Sequence, residues 1–171
     1  MKKLLTLILF SVFILTSCGT DGPPGPQGPP GEDGLYVVGE TYEYDVNFAY
    51  YPDENLHSAF LEFPAIELSD GVLVYRMALS GTTETWSLIP QNYFLPQGII
   101  QYVYTHTDED VELIIDGNFD LTNLGTQYTR NQVFRVIIVP SDYASTSGVD
   151  VRNMEAVLQS LNVKDNDIIM M

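Results

Sequence analysis

The chain has 171 residues, with 23 acidic side chains against seven basic ones and a net charge of −16. Such a surface repels nucleic acid and anionic lipid headgroups, which excludes nucleic acid as a partner. Hydrophobic residues make up 45% of the chain, enough for a packed core and too much for a mainly disordered protein.

Residues 1–17 hold Lys2 and Lys3, then an apolar run from Leu4 to Leu15, then Thr16-Ser17 ahead of Cys18. A basic start followed by a short apolar stretch is the pattern of a secretory signal peptide. The run is shorter than the ~20 residues that span a bilayer as a helix. Leu15-Thr16-Ser17-Cys18 resembles the lipobox of bacterial lipoproteins, in which a diacylglycerol is attached to the cysteine thiol and cleavage leaves that cysteine first. Thr16 departs from the small residue usual at its position. Cys18 is the only cysteine in the chain, so no disulfide can form within it. Each lipid methylene buried in a membrane contributes ~0.8 kcal/mol, and two or three chains make attachment lasting. The expectation is a membrane anchor through Cys18. Gly19 and Thr20 follow it, without the aspartate that holds enterobacterial lipoproteins at the inner membrane. That favours the outer membrane and leaves the periplasmic or cell-surface side open. Loss of Lys2 and Lys3 with the signal leaves five basic residues against 23 acidic ones, a net charge of −18.

Residues 18–34 carry the lipidated cysteine and a tether. Gly22-Pro23-Pro24, Gly25-Pro26-Gln27, Gly28-Pro29-Pro30 and Gly31-Glu32-Asp33 are four unbroken Gly-X-Y triplets. Collagen requires glycine at every third place because only hydrogen fits at the triple-helix axis. Four triplets offer little interchain bonding against the entropy of gathering three chains, so a triple helix requires the following domain to trimerise. As a single strand, residues 22–33 form a polyproline-II spacer about 35–40 Å long.

Residues 35–163 read as one β-rich globular domain. Thr41 to Phe48 alternates, with Tyr42, Tyr44, Val46 and Phe48 on one face, as in a half-buried strand. Tyr50 to Asn55 is read as a loop, and His57 to Phe63 as a second strand. Ser69-Asp70-Gly71 marks a turn into Val72 to Leu79, whose apolar, β-branched and aromatic run predicts a central strand buried on both faces. Glu84 to Ile89, Ile99 to Thr107, Val111 to Ile115 and Gln132 to Val139 complete the predicted strands. Val151, Met154, Val157, Leu158 and Leu161 then follow helical spacing. They predict one amphipathic C-terminal helix over about 150–162, with Asp150 as its N-cap. Residues 164–171 read as a tail. Many short strands between turns argue for a mainly β domain, an antiparallel β-sandwich or barrel-like fold, with that one helix.

Asp116-Gly117-Asn118-Phe119-Asp120-Leu121 and Tyr128-Thr129-Arg130-Asn131-Gln132-Val133-Phe134-Arg135-Val136, together with the lipobox and the glycine triplets, resemble a group of small lipoproteins of Bacteroidota. The resemblance covers essentially the whole chain. It implies an architecture of lipobox, collagen-like segment, β-rich domain and C-terminal helix, and a place in the cell envelope; it implies no activity. A dihydrolipoamide dehydrogenase-type activity does not fit. That chemistry needs two redox cysteines, and the glycines at 22–34 neither follow a strand nor open a helix as a dinucleotide fingerprint must.

The residues that carry chemistry elsewhere are sparse here. His57 and His106 lie on separate predicted strands, no serine sits in a G-x-S-x-G elbow, and no thiol is left for zinc. No catalytic residue or bound cofactor is expected. Asp116, Asn118 and Asp120 place three oxygen side chains at alternate positions, like the start of a calcium loop. Leu121 and Gln127 stand where that loop needs Gly and Glu, so the alternative is a solvated turn; Asp108, Glu109 and Asp110 pose the same choice. Tyr50, Tyr51, Tyr93 and Phe94 flank proline and asparagine in predicted loops, where aromatics either stack on sugar rings and anchor a protein or fold over the end of the sheets. The reading is a non-enzymatic envelope lipoprotein whose β domain binds a protein or a glycan or serves a structural role. Two alternatives stay open: a glycan-acting hydrolase using two carboxylates, and a trimer built on the collagen-like segment.

Overall fold

A computed structural model describes residues 39–171; Cys18 and the segments expected to be a signal peptide and a collagen-like tether lie outside the described residues. The described part is mainly β, with ten strands in two five-stranded sheets. Sheet 1 has the order β10-β1-β9-β4-β5. Its strands are β1 (Thr41–Val46), β4 (Gly71–Ser80), β5 (Thr83–Leu88), β9 (Gln132–Val139) and β10 (Ile169–Met170). Sheet 2 has the order β2-β3-β8-β7-β6. It is built from β2 (Ala49–Tyr51), β3 (Leu56–Glu62), β6 (Gln91–Leu95), β7 (Gly98–His106) and β8 (Asp110–Gly117). All pairings are antiparallel except that of β10 with β1.

The period-two alternation fixes which side chains meet between the sheets. Tyr42, Tyr44 and Val46 of β1, Val72 and Val74 of β4, and Phe134, Val136 and Ile138 of β9 turn one way. They join Leu61, Ile100, Tyr102, Val111, Leu113 and Ile115 of sheet 2 in one apolar cluster. Four ring contacts show the interdigitation: Phe48 lies 6.0 Å from both Tyr102 and Phe134, Tyr102 lies 6.2 Å from Phe134, and Tyr42 stacks on Phe63 at 6.1 Å. Buried tyrosines need a partner for the hydroxyl. Here the hydroxyls donate across the core to main-chain carbonyls: Tyr44 to Glu62 at 2.7 Å, Tyr104 to Val72 at 2.6 Å, and Tyr102 to Tyr128 at 2.6 Å.

The other face of sheet 1 is covered as well. Tyr75, Ile137 and Val139 pack beneath Met154, Val157 and Leu158 of helix α3 (Met154–Ser160), and Tyr143 of the one-turn helix α2 (Tyr143–Thr146) joins them. Val72 to Arg76 is covered on both faces, one meeting sheet 2 and the other the helix, but the expected two-sided burial does not reach Leu79, which is 67% exposed where the strand runs past the helix. The one-turn helix α1 (Thr126–Thr129) lies between β8 and β9.

Four other expectations need correction. Thr41–Phe48 is not one strand: β1 ends at Val46, Asn47 accepts a hydrogen bond from the Asn131 backbone, and Phe48 bonds back to Thr129. The helix is shorter than 150–162, and its N-cap is Asn153, which accepts from the Ala156 amide at 3.1 Å. Asp150 instead bonds Arg152 at both the guanidinium and the backbone. The tail does not run free, because a single 3-10 turn at Asp165–Asp167 leads into β10, which pairs Tyr42 with Ile169 at the edge of sheet 1. The fourth correction, on the aromatics of β2 and β6, belongs to the site.

Candidate functional site

The two sheets differ in what covers them. The outer face of sheet 1 lies under α3, whereas among the described residues no helix packs on the outer face of sheet 2. Alternation puts Ala49 and Tyr51 of β2, Ser58 and Phe60 of β3, Glu112, Ile114 and Asp116 of β8, Ile99, Gln101 and Val103 of β7, and Asn92 and Phe94 of β6 on that outer face. Four of these are large apolar side chains open to solvent: Phe94 at 80%, Phe60 at 58%, Tyr51 at 40% and Ile99 at 37%. Aromatic rings left exposed on one sheet face are available to anchor a partner.

The aromatics expected in loops are in strands. Tyr50 and Tyr51 lie in β2 and Tyr93 and Phe94 in β6, the two edges of sheet 2. Each pair straddles the pleat, so one member faces in and the next faces out. Tyr50 packs 4.9 Å from His57 and bonds Thr122 through its hydroxyl. Tyr93 packs 5.6 Å from Tyr102 and accepts from Arg76 at 2.6 Å. These two belong to the core. Tyr51 and Phe94 are the outward pair, four strand spacings or about 19 Å apart.

Between β6 and β8 the outer face sinks into a depression of about 300 Å³ lined by Asn92, Ile99, Gln101, Asp116, Gly117 and Asn118. Asn92, Gln101 and Asp116 form one rung across three strands, and Phe94 and Ile99 form the next. Among the described residues the side-chain amides of Asn92 and Gln101 have no hydrogen-bond partner in the protein. The Asn118 oxygen accepts the Ile99 amide at 2.8 Å, and one Asp116 oxygen accepts the Gly117 amide at 2.7 Å. The Asn118 position depends on Gly98, whose φ of 152° suits glycine alone.

Asp116 and Asn118 spend oxygens on backbone amides, and Asp120 turns to Thr122, whose hydroxyl and amide hold its carboxyl below the usual range. Asp108 and Glu109 form the β7–β8 turn, where Thr107 donates to Asp110 at 2.8 Å. Among the described residues no group of three or more His, Cys, Asp or Glu side chains stands close enough to hold a metal ion.

Other hollows have different linings. One of about 380 Å³ lies between β5 and α3, beside Glu84, Trp86 and Glu155. Trp86 already carries the Arg135 guanidinium at 4.2 Å, and both carboxylates are exposed. Neither has the dry wall that sets a general acid apart from its partner. His57 is buried, and its Nε2 donates to the Leu121 carbonyl at 3.0 Å, while Nδ1 has no partner among the described residues. His106 is exposed at the end of β7.

Sequence reasoning missed Asn92 and Gln101. For Gln101 the signal was available in the alternation of β7, where it is the polar neighbour of inward Tyr102; Asn92 lies on the five-residue β6, which carries no period of its own. Comparison with protein-family models, curated proteins and solved structures gives no match.

Proposed function

We propose that this chain is a lipoprotein of the cell envelope, held by acyl chains on Cys18, that displays a non-enzymatic binding domain on a proline-rich tether. The domain is a β-sandwich, and its contact surface is the outer face of sheet 2. The observation that carries the reading is the unequal cover of the two sheets: α3 packs over the middle of one, around Tyr75 and Ile137, while Phe60, Phe94 and Tyr51 stand open on the other, over which no helix of the described residues packs. A lipid at the far end of a spacer leaves such a face free to meet something beyond the membrane. The resemblance to Bacteroidota lipoproteins agrees with this placement and points to the outer membrane.

Two measurements test it. Metabolic labelling with radioactive palmitate is expected to mark the wild-type chain and not Cys18→Ala, which should keep its signal peptide and run larger than the mature chain. A photo-crosslinking residue at Phe60 is expected to capture envelope material on intact cells, and one at Leu79 on sheet 1 is not. An unlabelled wild-type chain removes the anchor; equal capture at both positions removes the surface.

A further inference from the structure

We propose that the depression on sheet 2 is a subsite for a neutral polysaccharide, with Phe94 as the stacking platform and Asn92, Gln101 and Asp116 as the groups that read hydroxyls. The proposal rests on the binding surface above and names its ligand.

The choice of ligand follows from the mixture of side chains. A purely apolar surface would suit a protein or a lipid. This one sets an exposed aromatic ring one rung away from a row of two amides and a carboxylate. A pyranose has the same two-sided character: its axial C–H groups form a weakly positive apolar face and its rim is a ring of hydroxyls. The negative face of Phe94 matches the first. The second needs groups that donate and accept at neighbouring points, which a side-chain amide does, and a carboxylate accepts from two hydroxyls at once. The amides of Asn92 and Gln101 have no partner in the protein among the described residues, so a ligand displaces only water from them.

Charge narrows the class. Asp116 is the one charged side chain in the lining, and it is negative on a chain of net charge −16. Uronic-acid polymers, phosphorylated glycans and anionic headgroups are repelled; neutral sugars are not. Size points the same way. The rung from Asn92 to Asp116 covers two strand spacings, about 10 Å, and the next rung lies about 7 Å along the strands. That footprint fits one or two rings, whereas a stable protein interface needs about 800 Å² from each partner. Ile99 floors the site next to Phe94, and Tyr51 and Phe60 lie farther along the same face, where a longer chain extends.

The test uses the full lipidated chain in detergent and isothermal titration with neutral hexasaccharides of glucose, xylose, mannose and N-acetylglucosamine, with oligogalacturonate as the anionic probe. At least one neutral hexasaccharide is expected to bind. Phe94→Ala and Gln101→Ala are each expected to weaken it about tenfold or more, and Leu79→Ala to leave it unchanged. These three positions are on strand surfaces, and thermal melts check that each variant is folded. Binding by none of the neutral sugars overturns the proposal. So does binding indifferent to both site variants, or binding of oligogalacturonate as tight as that of the best neutral sugar. Capture of a protein alone at Phe60 on cells, with no sugar bound, keeps the surface and removes the glycan.

Discussion

The guanidinium carbon of Arg76 lies 4.5 Å from the centre of the Tyr102 ring, in the space between the two sheets. Arg76 is only 7% exposed, and among the described residues no carboxylate pairs with it. It is held instead by polar and π contacts. Its Nη1 donates to the Tyr93 hydroxyl at 2.6 Å, and Nε and Nη2 both reach the Gln132 side-chain oxygen, Nε at 3.2 Å. A planar fork suits this arrangement, because one face stacks while the edge donates. Arg76→Ala strands the Gln132 oxygen and leaves a void beside two rings. The expected loss is about 3 kcal/mol of unfolding free energy. Arg76→Lys keeps the charge but neither the stack nor the fork, and is expected to recover less than half of that loss. Chemical denaturation of the three proteins checks both values; a stable Arg76→Ala variant removes the polar bridge from the account.

Gly98 supports the groove rather than the core. A Cβ at this position would overlap the Asn118 oxygen and come within 2.7 Å of Phe119. The backbone angle adds strain for any L side chain. Gly98→Ala is therefore expected to cost about 2 kcal/mol and to free Asn118 from the Ile99 amide. Amide exchange at Ile99 should quicken well beyond the rate at other β7 amides. An Ile99 amide as protected as before would show that Asn118 does not depend on the glycine.

Most of the sheet framework was legible in the sequence because long strands carry their own pattern. Gln132–Val139 is a strand over the predicted bounds, and Val72–Leu79 differs by one residue at each end. The misplaced aromatics have one cause. β2 and β6 have three and five residues, too few to display a period, and they exist because β3 and β7 offer free backbone groups to pair with. Tyr-Tyr-Pro and Asn-Tyr-Phe-Leu-Pro look like loops when read alone. The same shortness hid the site, since Asn92 and Phe94 face outward only once β6 is known to be a strand. Arg76 shows the converse limit. Its inward face follows from alternation with Val72 and Val74, but its partners come from positions 93, 102 and 132, which no local window joins.

Alkali should unfold this domain through its tyrosines. Burial pushes the Tyr44 hydroxyl up to about 12, with the Glu62 charge adding to it. Burial also raises Tyr42, Tyr75, Tyr102 and Tyr104 above the ordinary value, and at Tyr102 the neighbouring Arg76 opposes the rise without cancelling it. A tyrosine in the unfolded chain ionises near about 10. The folded state keeps these protons longer, so the unfolded state binds fewer protons above that value and stability falls as pH rises. The full contribution is present below about pH 10 and is lost from there through about 12. Urea midpoints should be level between about pH 7 and 9 and then drop. Tyrosinate absorbance should grow together with the loss of near-ultraviolet dichroism. Buried tyrosines that ionise at the ordinary value while the fold persists would contradict the packing of the core.

The helix that closes sheet 1 offers a direct contest between Asp150 and Asn153 as its cap. Helical spacing in the sequence favours Asp150, whereas the Asn153 oxygen receives the Ala156 amide. Asp150 is occupied by Arg152, and the ion pair lies in solvent with 81% of the arginine side chain exposed. Such pairs contribute little. Asn153→Ala should lower stability by about 1 kcal/mol, while Asp150→Ala should leave the midpoint where it was. Val157 sets the scale for losing the helix's grip on the sheet. It is fully buried against the cluster around Tyr75 and Ile137, and Val157→Ala should cost about 2 kcal/mol. Binding at the opposite sheet should survive all three changes while the domain stays folded, because α3 and the groove sit on outward faces of different sheets. A larger effect of Asp150→Ala than of Asn153→Ala on the denaturation midpoint would return the helix start to the place the spacing suggests.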